Sequence, residues 1–174
     1  MIRINVSQQL KSAIGTRRSY KVKGTVAVAD GDSPAEGKAV LVRTDRGILV
    51  EARLRTSMEL TCSRCLTSFR YPITLNITEE YLPTADIVSG APLSLPDEPG
   101  CFTIDNNHVL SLAEAIRQHV LLAVPMKPLC RRDCVGLCPT CGQNLNQGQC
   151  HCPTGQADPR WAKLKELASA KSKK

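Results

Sequence analysis

Eight of the nine cysteines in this 174-residue chain stand in four close pairs, and this pairing constrains the fold more than any other feature. One pair is Cys62/Cys65, and the other three are Cys130/Cys134, Cys138/Cys141 and Cys150/Cys152. Thiolates at such short spacings can point at one ion, and zinc binds four such ligands in a tetrahedron. The sequence therefore predicts two zinc ions per chain, each in a closed site of four thiolates.

Two partitions of the cysteines into zinc sites are open. In the favoured one, the eight residues GQNLNQGQ form a tight loop within a site made of Cys138, Cys141, Cys150 and Cys152. The other site then ties the C-terminal segment to the sheet, and its ligands are Cys62, Cys65, Cys130 and Cys134. In the alternative, a single C-terminal site forms and Cys62/Cys65 stay outside it or pair with the leftover cysteines. Cys101 lies outside both partitions.

Disulfides and redox centres are the competing explanations for the cysteines. The start MIRINVSQQL lacks the apolar core of a signal peptide, and runs such as VLLAV are too short to span a bilayer. We therefore expect a cytoplasmic protein with reduced thiols, and an odd cysteine count also fits a disulfide framework poorly. CPTCG would suit a rubredoxin-like iron centre. A thioredoxin-like role for CSRC needs a strand-to-helix setting, whereas this motif stands between two predicted strands.

No catalytic arrangement is recognisable in the sequence. The histidines at His108, His119 and His151 have no nucleophile or carboxylate pattern around them, and there is no phosphate-binding glycine loop. A site closed by four thiolates also leaves no open position for water. We therefore expect a protein that is not an enzyme and has no small-molecule substrate.

Alternating apolar residues predict a series of strands in the first half of the chain. Strands are expected over residues 20–30 and 38–44, with GDSPAEG (residues 31–37) as the turn or loop between them. DRG is expected to form a hairpin turn in which Gly47 takes a positive φ. A long alternating run from Ile48 to Leu60 and another from Phe69 to Ile77 follow on either side of CSRC. Together they predict an antiparallel meander with one buried face.

The second half of the chain predicts helices and a linker, which makes the fold α+β. Residues 82–100 are rich in Pro, Gly and acidic residues and predict a linker. Ser111 and Glu114 fit a capping box that opens a helix over about residues 111–124, and Asp158 opens a final helix. The prediction is an antiparallel β-meander or partly closed sheet with one or two packed helices and a C-terminal zinc-binding segment. The domains are a β-rich part, 1–125, and a cysteine-rich part with the terminal helix, 126–174.

The formal net charge of +7 is compatible with a nucleic-acid partner. If eight cysteines bind two zinc ions as thiolates, however, the net charge falls to about +3. The placement of the basic residues therefore matters more than their number, and a solvated basic surface is the alternative for each cluster. The candidate RNA-binding residues are Arg17, Arg18, Lys21, Lys23, Arg64, Arg131 and Arg132.

Four stretches in combination resemble the YceD family, which is linked to accumulation of large-subunit ribosomal RNA. They are ELTCSRCL, the helix that runs into LLAVP, PLCRRDCVGLCPTCGQNLNQGQCHC, and DPRWAKLKEL. The resemblance covers most of the chain from about Arg43 onward, apart from the predicted linker, and the eight paired cysteines match the positions that mark the family. It implies a role in assembly or stability of the large ribosomal subunit through contact with 23S rRNA or its precursor. The zinc segment could instead bind a large-subunit ribosomal protein, and no membrane partner is expected. A zinc-ribbon cofactor that binds protein and an iron or thiol redox protein are the alternatives.

Overall fold

The computed structural model describes residues 2–28, 31–94 and 100–152 of the chain. These residues belong to two compact units. The first unit comprises Met1–Ser63 and Thr67–Cys130, and the second comprises Arg64–Leu66 and Arg131–Lys174. The helix predicted to begin at Asp158 lies outside the described residues.

The first unit is mostly β-sheet with two helices, which is the α+β class that the sequence predicts. Its elements are β1 (Arg3–Asn5), α1 (Ser7–Leu10), β2 (Arg17–Val28), β3 (Gly31–Arg43), β4 (Ile48–Thr61), β5 (Ser68–Pro83), β6 (Phe102–Ile104), β7 (Val109–Ser111) and α2 (Ala113–Ala123). Across the sheet the strands run in the order β1-β7-β6-β5-β4-β3-β2. Strands β2 to β5 form the predicted antiparallel meander, and β5 pairs with β6 in parallel. No helix among the described residues is long and apolar enough to cross a membrane.

One face of the meander forms the apolar core of this unit. Along β4, buried and exposed residues alternate, so that Val50 and Leu54 are fully buried while Arg53 between them is exposed. The same alternation continues in β5, as the sequence predicts. Helix α2 covers this face and contacts β5 and β2, and its fully buried residues are Ala115, Ile116 and Val120. Burial of each large apolar side chain contributes about 1.5–3 kcal/mol, which holds the strand register in place.

The sheet of the first unit curls so that its two edge strands approach each other. A Cβ atom added at Gly24 in β2 would lie 2.7 Å from Cγ1 of Ile2, which directly precedes β1. Ile2 is only 5% exposed and shares the core with Val22 and Val26 of β2. This curl gives the partly closed sheet that was one of the two predicted arrangements.

The prediction of a turn or loop at residues 31–37 is wrong, because this segment is the first half of β3. It pairs with β2 from Gly31 onward, opposite Val28. Pro34 is tolerated because β3 pairs with β4 only from Glu36 onward, so the missing N–H lies where the strand has a single neighbour. The hydroxyl of Thr56 donates a hydrogen bond to the Pro34 carbonyl at 2.8 Å.

The hairpin between β3 and β4 is confirmed, but the predicted reason for its glycine is wrong. The N–H of Thr44 donates to the Gly47 carbonyl at 3.0 Å, and the N–H of Gly47 donates to the Thr44 hydroxyl at 2.8 Å. Gly47 is not one of the described residues with positive φ. Instead, a Cβ atom at this position would overlap the backbone carbonyl oxygen of Tyr81 in β5. Glycine is required here because the two backbones approach closely.

Helix α2 begins two residues later than predicted, and the capping box is wrong. Ser111 is the last residue of β7, where it pairs with Arg3 of β1, and is therefore unavailable as a cap. Leu112 occupies the N-cap position without a side-chain capping bond. The Glu114 carboxylate instead accepts hydrogen bonds from the side chains of Arg117 and Gln118.

The predicted linker, residues 82–100, is ordered at its start. Leu82 and Pro83 still belong to β5 and pair with β6. Beyond the strand, Oδ1 of Asp86 accepts hydrogen bonds from the backbone N–H groups of Val88 and Ser89 at 3.1 and 2.7 Å. Local hydrogen bonds therefore shape the described part of this segment as a turn.

Candidate metal centres

The sulfurs of eight cysteines gather into two groups of four. The members are Cys62, Cys65, Cys130 and Cys134 in group A, and Cys138, Cys141, Cys150 and Cys152 in group B. Within each group all Sγ atoms lie within 4.8 Å of one another. A tetrahedron with Zn–S distances of about 2.3 Å has sulfur–sulfur edges of about 3.8 Å, so each group can hold one metal ion. These groups are the two sets of the favoured partition, and Cys101 is in neither.

In group B, the turn from Cys138 to Cys141 directs a backbone N–H group at the Cys138 sulfur. The N–H of Thr140 donates to Sγ of Cys138 at 3.4 Å, and the N–H of Gly142 donates to the Cys138 carbonyl at 2.9 Å. Gly142 has a φ of +74°, a conformation that glycine adopts without strain. Hydrogen bonds from the backbone N–H groups of Cys141 and Thr140 lower the pKa of Cys138 to about 6, helped by the Cys150 thiol. The turn therefore favours the ionised thiol that a metal ion needs as ligand.

The thiol of Cys152, also in group B, opposes further ionisation in the absence of a cation. The thiol of Cys152 donates a hydrogen bond to the Cys141 sulfur, and this bond, together with burial and charge repulsion, raises the pKa of Cys152 to about 12. Four thiolates at this spacing repel one another, and a divalent cation at their centre removes that repulsion. The donor set of group B thus fits a bound metal ion better than four unliganded thiols.

The second unit has no apolar core among its described C-terminal residues. From residue 131 to residue 152, the buried residues are Cys134, Gly136 and Cys138, and the remainder are half-buried or exposed. A segment of this length without buried aliphatic or aromatic side chains needs another source of stability, such as a structural metal. The burial pattern therefore supports the metal fit independently of the cysteine spacing.

Group A is more buried than group B. Cys62, Cys65 and Cys134 are at most 5% exposed. The N–H of Cys62 donates to the Thr67 carbonyl at 3.0 Å, and Leu66 takes a φ of +56°, so CSRC forms a tight turn. This turn joins β4 to β5 and does not have the strand-to-helix setting of a thioredoxin-like motif.

Asn146, which is not among the residues predicted from the sequence, supports the cysteine turns of the second unit. Its Nδ2 donates to Sγ of Cys134 at 3.4 Å and to Oδ1 of Asn144 at 2.8 Å. Its Oδ1 accepts from the N–H of Val135 at 3.0 Å and from Nη2 of Arg131 at 2.7 Å. Partners of this kind orient ligands and tune metal sites. The available signal is the pair of asparagines in GQNLNQGQ, a stretch that the sequence predicts only as a loop.

Three of the seven candidate RNA-binding residues lie beside the cysteines of the second unit. Nη1 of Arg64 donates to the Cys134 carbonyl at 2.8 Å, so this side chain stabilises the cysteine turn. Arg131 bonds to Asn146, and its Nε lies 3.6 Å from Asp133. Arg132 is exposed. Contact of these residues with RNA stays a prediction.

The other four candidates lie on β2 and divide between its two faces. Arg17, Lys21 and Lys23 alternate along the strand and are all exposed. Arg18 is on the opposite face, and its Nη1 donates to Oε1 of Gln8 at 3.3 Å. The structure therefore brings three of these four cations to one face, and their contact with RNA also stays a prediction.

The three histidines lie outside both cysteine groups. Nδ1 of His119 is 2.9 Å from the Ala115 carbonyl within α2, and its Nε2 is 3.6 Å from Glu79. His108 is in the turn before β7, and His151 is exposed. His151 lies between two group B cysteines in sequence, but that group already has four thiol ligands.

Comparison with known proteins gives a family match and several relatives. Residues 50–168 match the family described as "Large ribosomal RNA subunit accumulation protein YceD". Uncharacterized proteins of Mycobacterium bovis and Mycobacterium tuberculosis are each 32% identical over 133 residues, which cover 72% of this chain and 58% of the relative. An Arabidopsis thaliana protein, "Large ribosomal RNA subunit accumulation protein YCED homolog 1, chloroplastic", is 26% identical over 184 residues, covering 94% of this chain and 56% of the relative. The chain thus spans less than two thirds of these relatives, and no solved structure matches it.

Proposed function

Because this chain belongs to the YceD family of large ribosomal RNA subunit accumulation proteins, we propose that it supports accumulation or assembly of the large ribosomal subunit and its 23S rRNA. The observation that carries the proposal is the family match over residues 50–168. The matched range contains all eight cysteines of groups A and B, so both candidate metal centres lie within the matched part of the chain. The proposed role is non-enzymatic, since four thiolates around an ion leave no position for a reacting group.

Zinc is the ion that we propose for both groups. Four thiolates in a tetrahedron suit zinc or iron, and zinc is the usual ion in closed structural sites. Bound zinc would supply folding free energy, of order 10–16 kcal/mol for a structural ion at neutral pH. In the second unit this would replace the apolar core that residues 131–152 do not form.

The partner that we propose is 23S rRNA or its precursor, with a large-subunit ribosomal protein as the second candidate. The second candidate is favoured by two exposed apolar side chains of the second unit. Leu66 is 65% exposed and Val135 is 62% exposed. Large apolar side chains in contact with water are common on surfaces that bind other proteins.

Crosslinking in cells distinguishes the two partners. Ultraviolet irradiation of the source organism, followed by purification of the full chain under denaturing conditions, is expected to recover fragments of 23S rRNA or its precursor. Non-irradiated cells provide the control for co-purification. If RNA is absent and a chemical crosslinker joins the chain to a ribosomal protein, the RNA partner is wrong and the second candidate replaces it.

A further inference from the structure

The exposed face of β2, β3 and β4 carries a concentration of positive charge. A depression of about 600 Å³ on this face has one carboxylate, that of Glu36, in its lining. The five basic residues that line it, all exposed and here called the basic face, are Lys21, Lys23, Lys38, Arg53 and Arg55. Only two of the five, Lys21 and Lys23, are among the candidates that the sequence suggests.

Strand register places three of these cations in a single row. Lys21 of β2 lies opposite Lys38 of β3, and Lys38 lies opposite Arg53 of β4. At an interstrand spacing of 4.7–4.9 Å, the row spans about 10 Å. Like charges directly opposite each other destabilise a sheet, so this arrangement has a cost in folding free energy.

The cations of the row have no carboxylate opposite them in the sheet, since the one carboxylate of the depression, Glu36, lies opposite Lys23 and Arg55 instead. Within the described part of the chain, no ion pair within 4 Å is found for Lys21, Lys38 or Arg53. Other exposed arginines are paired: Arg46 lies 2.8 Å from Glu80, and Arg117 lies 2.6 Å from Glu114. A solvated surface does not require three cations in register without ion pairs, whereas an anionic ligand would stabilise them.

We propose that the basic face binds backbone phosphates of large-subunit ribosomal RNA, an inference that rests on the proposed function. Lys and Arg neutralise phosphates by electrostatic contact, and a row across three strands can engage phosphates along one RNA strand. The lining of the depression contains no aromatic side chain, so stacking on bases is not provided. Phosphate contacts position RNA but do not distinguish bases, so this face binds structured RNA without strong sequence preference.

The test compares two variants of the full chain with equal changes in charge. The first combines Lys21→Gln, Lys38→Gln and Arg53→Gln, and the control replaces three exposed cations elsewhere, Lys11, Arg117 and Lys127, by Gln. Binding to transcribed 23S rRNA is measured over a range of salt concentrations. The first variant is expected to bind roughly 100-fold more weakly at about 0.1 M salt, and its log–log salt slope is expected to fall by about 2–3. The control is expected to keep the wild-type slope.

Two further measurements separate charge from folding. A charge-preserving variant with Lys21→Arg, Lys38→Arg and Arg53→Lys is expected to bind rRNA like the wild type. The Gln variant is expected to unfold at the same or higher denaturant concentration, because cross-strand repulsion is removed. Wild-type rRNA affinity in the Gln variant, or equal losses in that variant and its control, would overturn the proposal. If the Gln variant loses binding to a ribosomal protein but binds rRNA like the wild type, the proposal is overturned as well.

The outcomes also separate this inference from the proposed function. If loss of the chain reduces 23S rRNA in cells while the Gln variant binds rRNA normally, the proposed RNA binding by the basic face is wrong and the proposed function stands. If the Gln variant loses rRNA binding in the predicted way while cells without the chain keep normal 23S rRNA, the proposed RNA binding by the basic face stands and the proposed function is wrong.

Discussion

Replacement of Cys138 by serine is expected to lower the zinc content of the purified chain from two ions to one and to unfold residues 138–152, while group A, which includes Cys134, keeps its ion. Cys138 is the group B thiol that the backbone N–H groups of Cys141 and Thr140 stabilise in its ionised form. Since few other residues of this segment are buried, loss of the ion removes the main contribution to its stability. The expected cost is of order 10 kcal/mol of folding free energy in this segment.

Metal analysis and limited proteolysis of the full chain measure this effect. Cys101→Ser is the matched control, because Cys101 is in neither cysteine group, and it is expected to keep two zinc ions and wild-type protease resistance. Two zinc ions in the Cys138→Ser variant would show that the ligand assignment is wrong. A coloured wild-type protein that contains iron would show that zinc is the wrong metal and would favour the redox alternative.

The second large effect is expected for Asn146→Ala, which changes no proposed ligand. The substitution removes the donor to Sγ of Cys134 and the acceptor for the Val135 N–H. Loss of such supporting hydrogen bonds typically weakens a metal site by about 10- to 100-fold. Competition with a zinc chelator is expected to show this loss at group A, with group B unchanged.

Two control variants define the cause of this effect. Gln147→Ala, at an exposed neighbouring position, is expected to keep wild-type zinc affinity. Asn146→Asp retains an acceptor for Val135 but cannot donate to the sulfur, and it adds a negative charge beside a thiolate. It is therefore expected to weaken zinc binding at least as much as Asn146→Ala. Wild-type affinity in Asn146→Asp would contradict the role of the bond to sulfur.

The sequence predicts those strands in which apolar and polar residues alternate over a long run. The alternation from Ile48 to Leu60 is sufficient to predict β4, because one buried face fixes the register of a strand this long. Strands β1, β6 and β7 have three residues each and show no usable period. Residues 31–37 were misassigned because Gly and Pro usually end strands, whereas here pairing with β2 overrides local preference.

In the candidate metal centres too, the sequence predicts features that depend on local spacing and does not predict contacts that depend on the fold. Cysteine spacing is local information, and it was sufficient to favour the two groups of four that the structure brings together. The contact between Asn146 and Cys134 depends on how the second unit folds, and no pattern in the sequence specifies it. Lys38 stands alone in the sequence, and only strand pairing places it between Lys21 and Arg53.

The ratio of 23S to 16S rRNA in cells depleted of this chain tests the proposed function most directly. We expect a lower ratio, together with a smaller peak of large ribosomal subunits, because the proposed function is to support accumulation of the large subunit. Expression of the wild type or Cys101→Ser is expected to restore the ratio, whereas Cys138→Ser is expected not to restore it. A normal ratio and a normal large-subunit peak after depletion would contradict the proposed function.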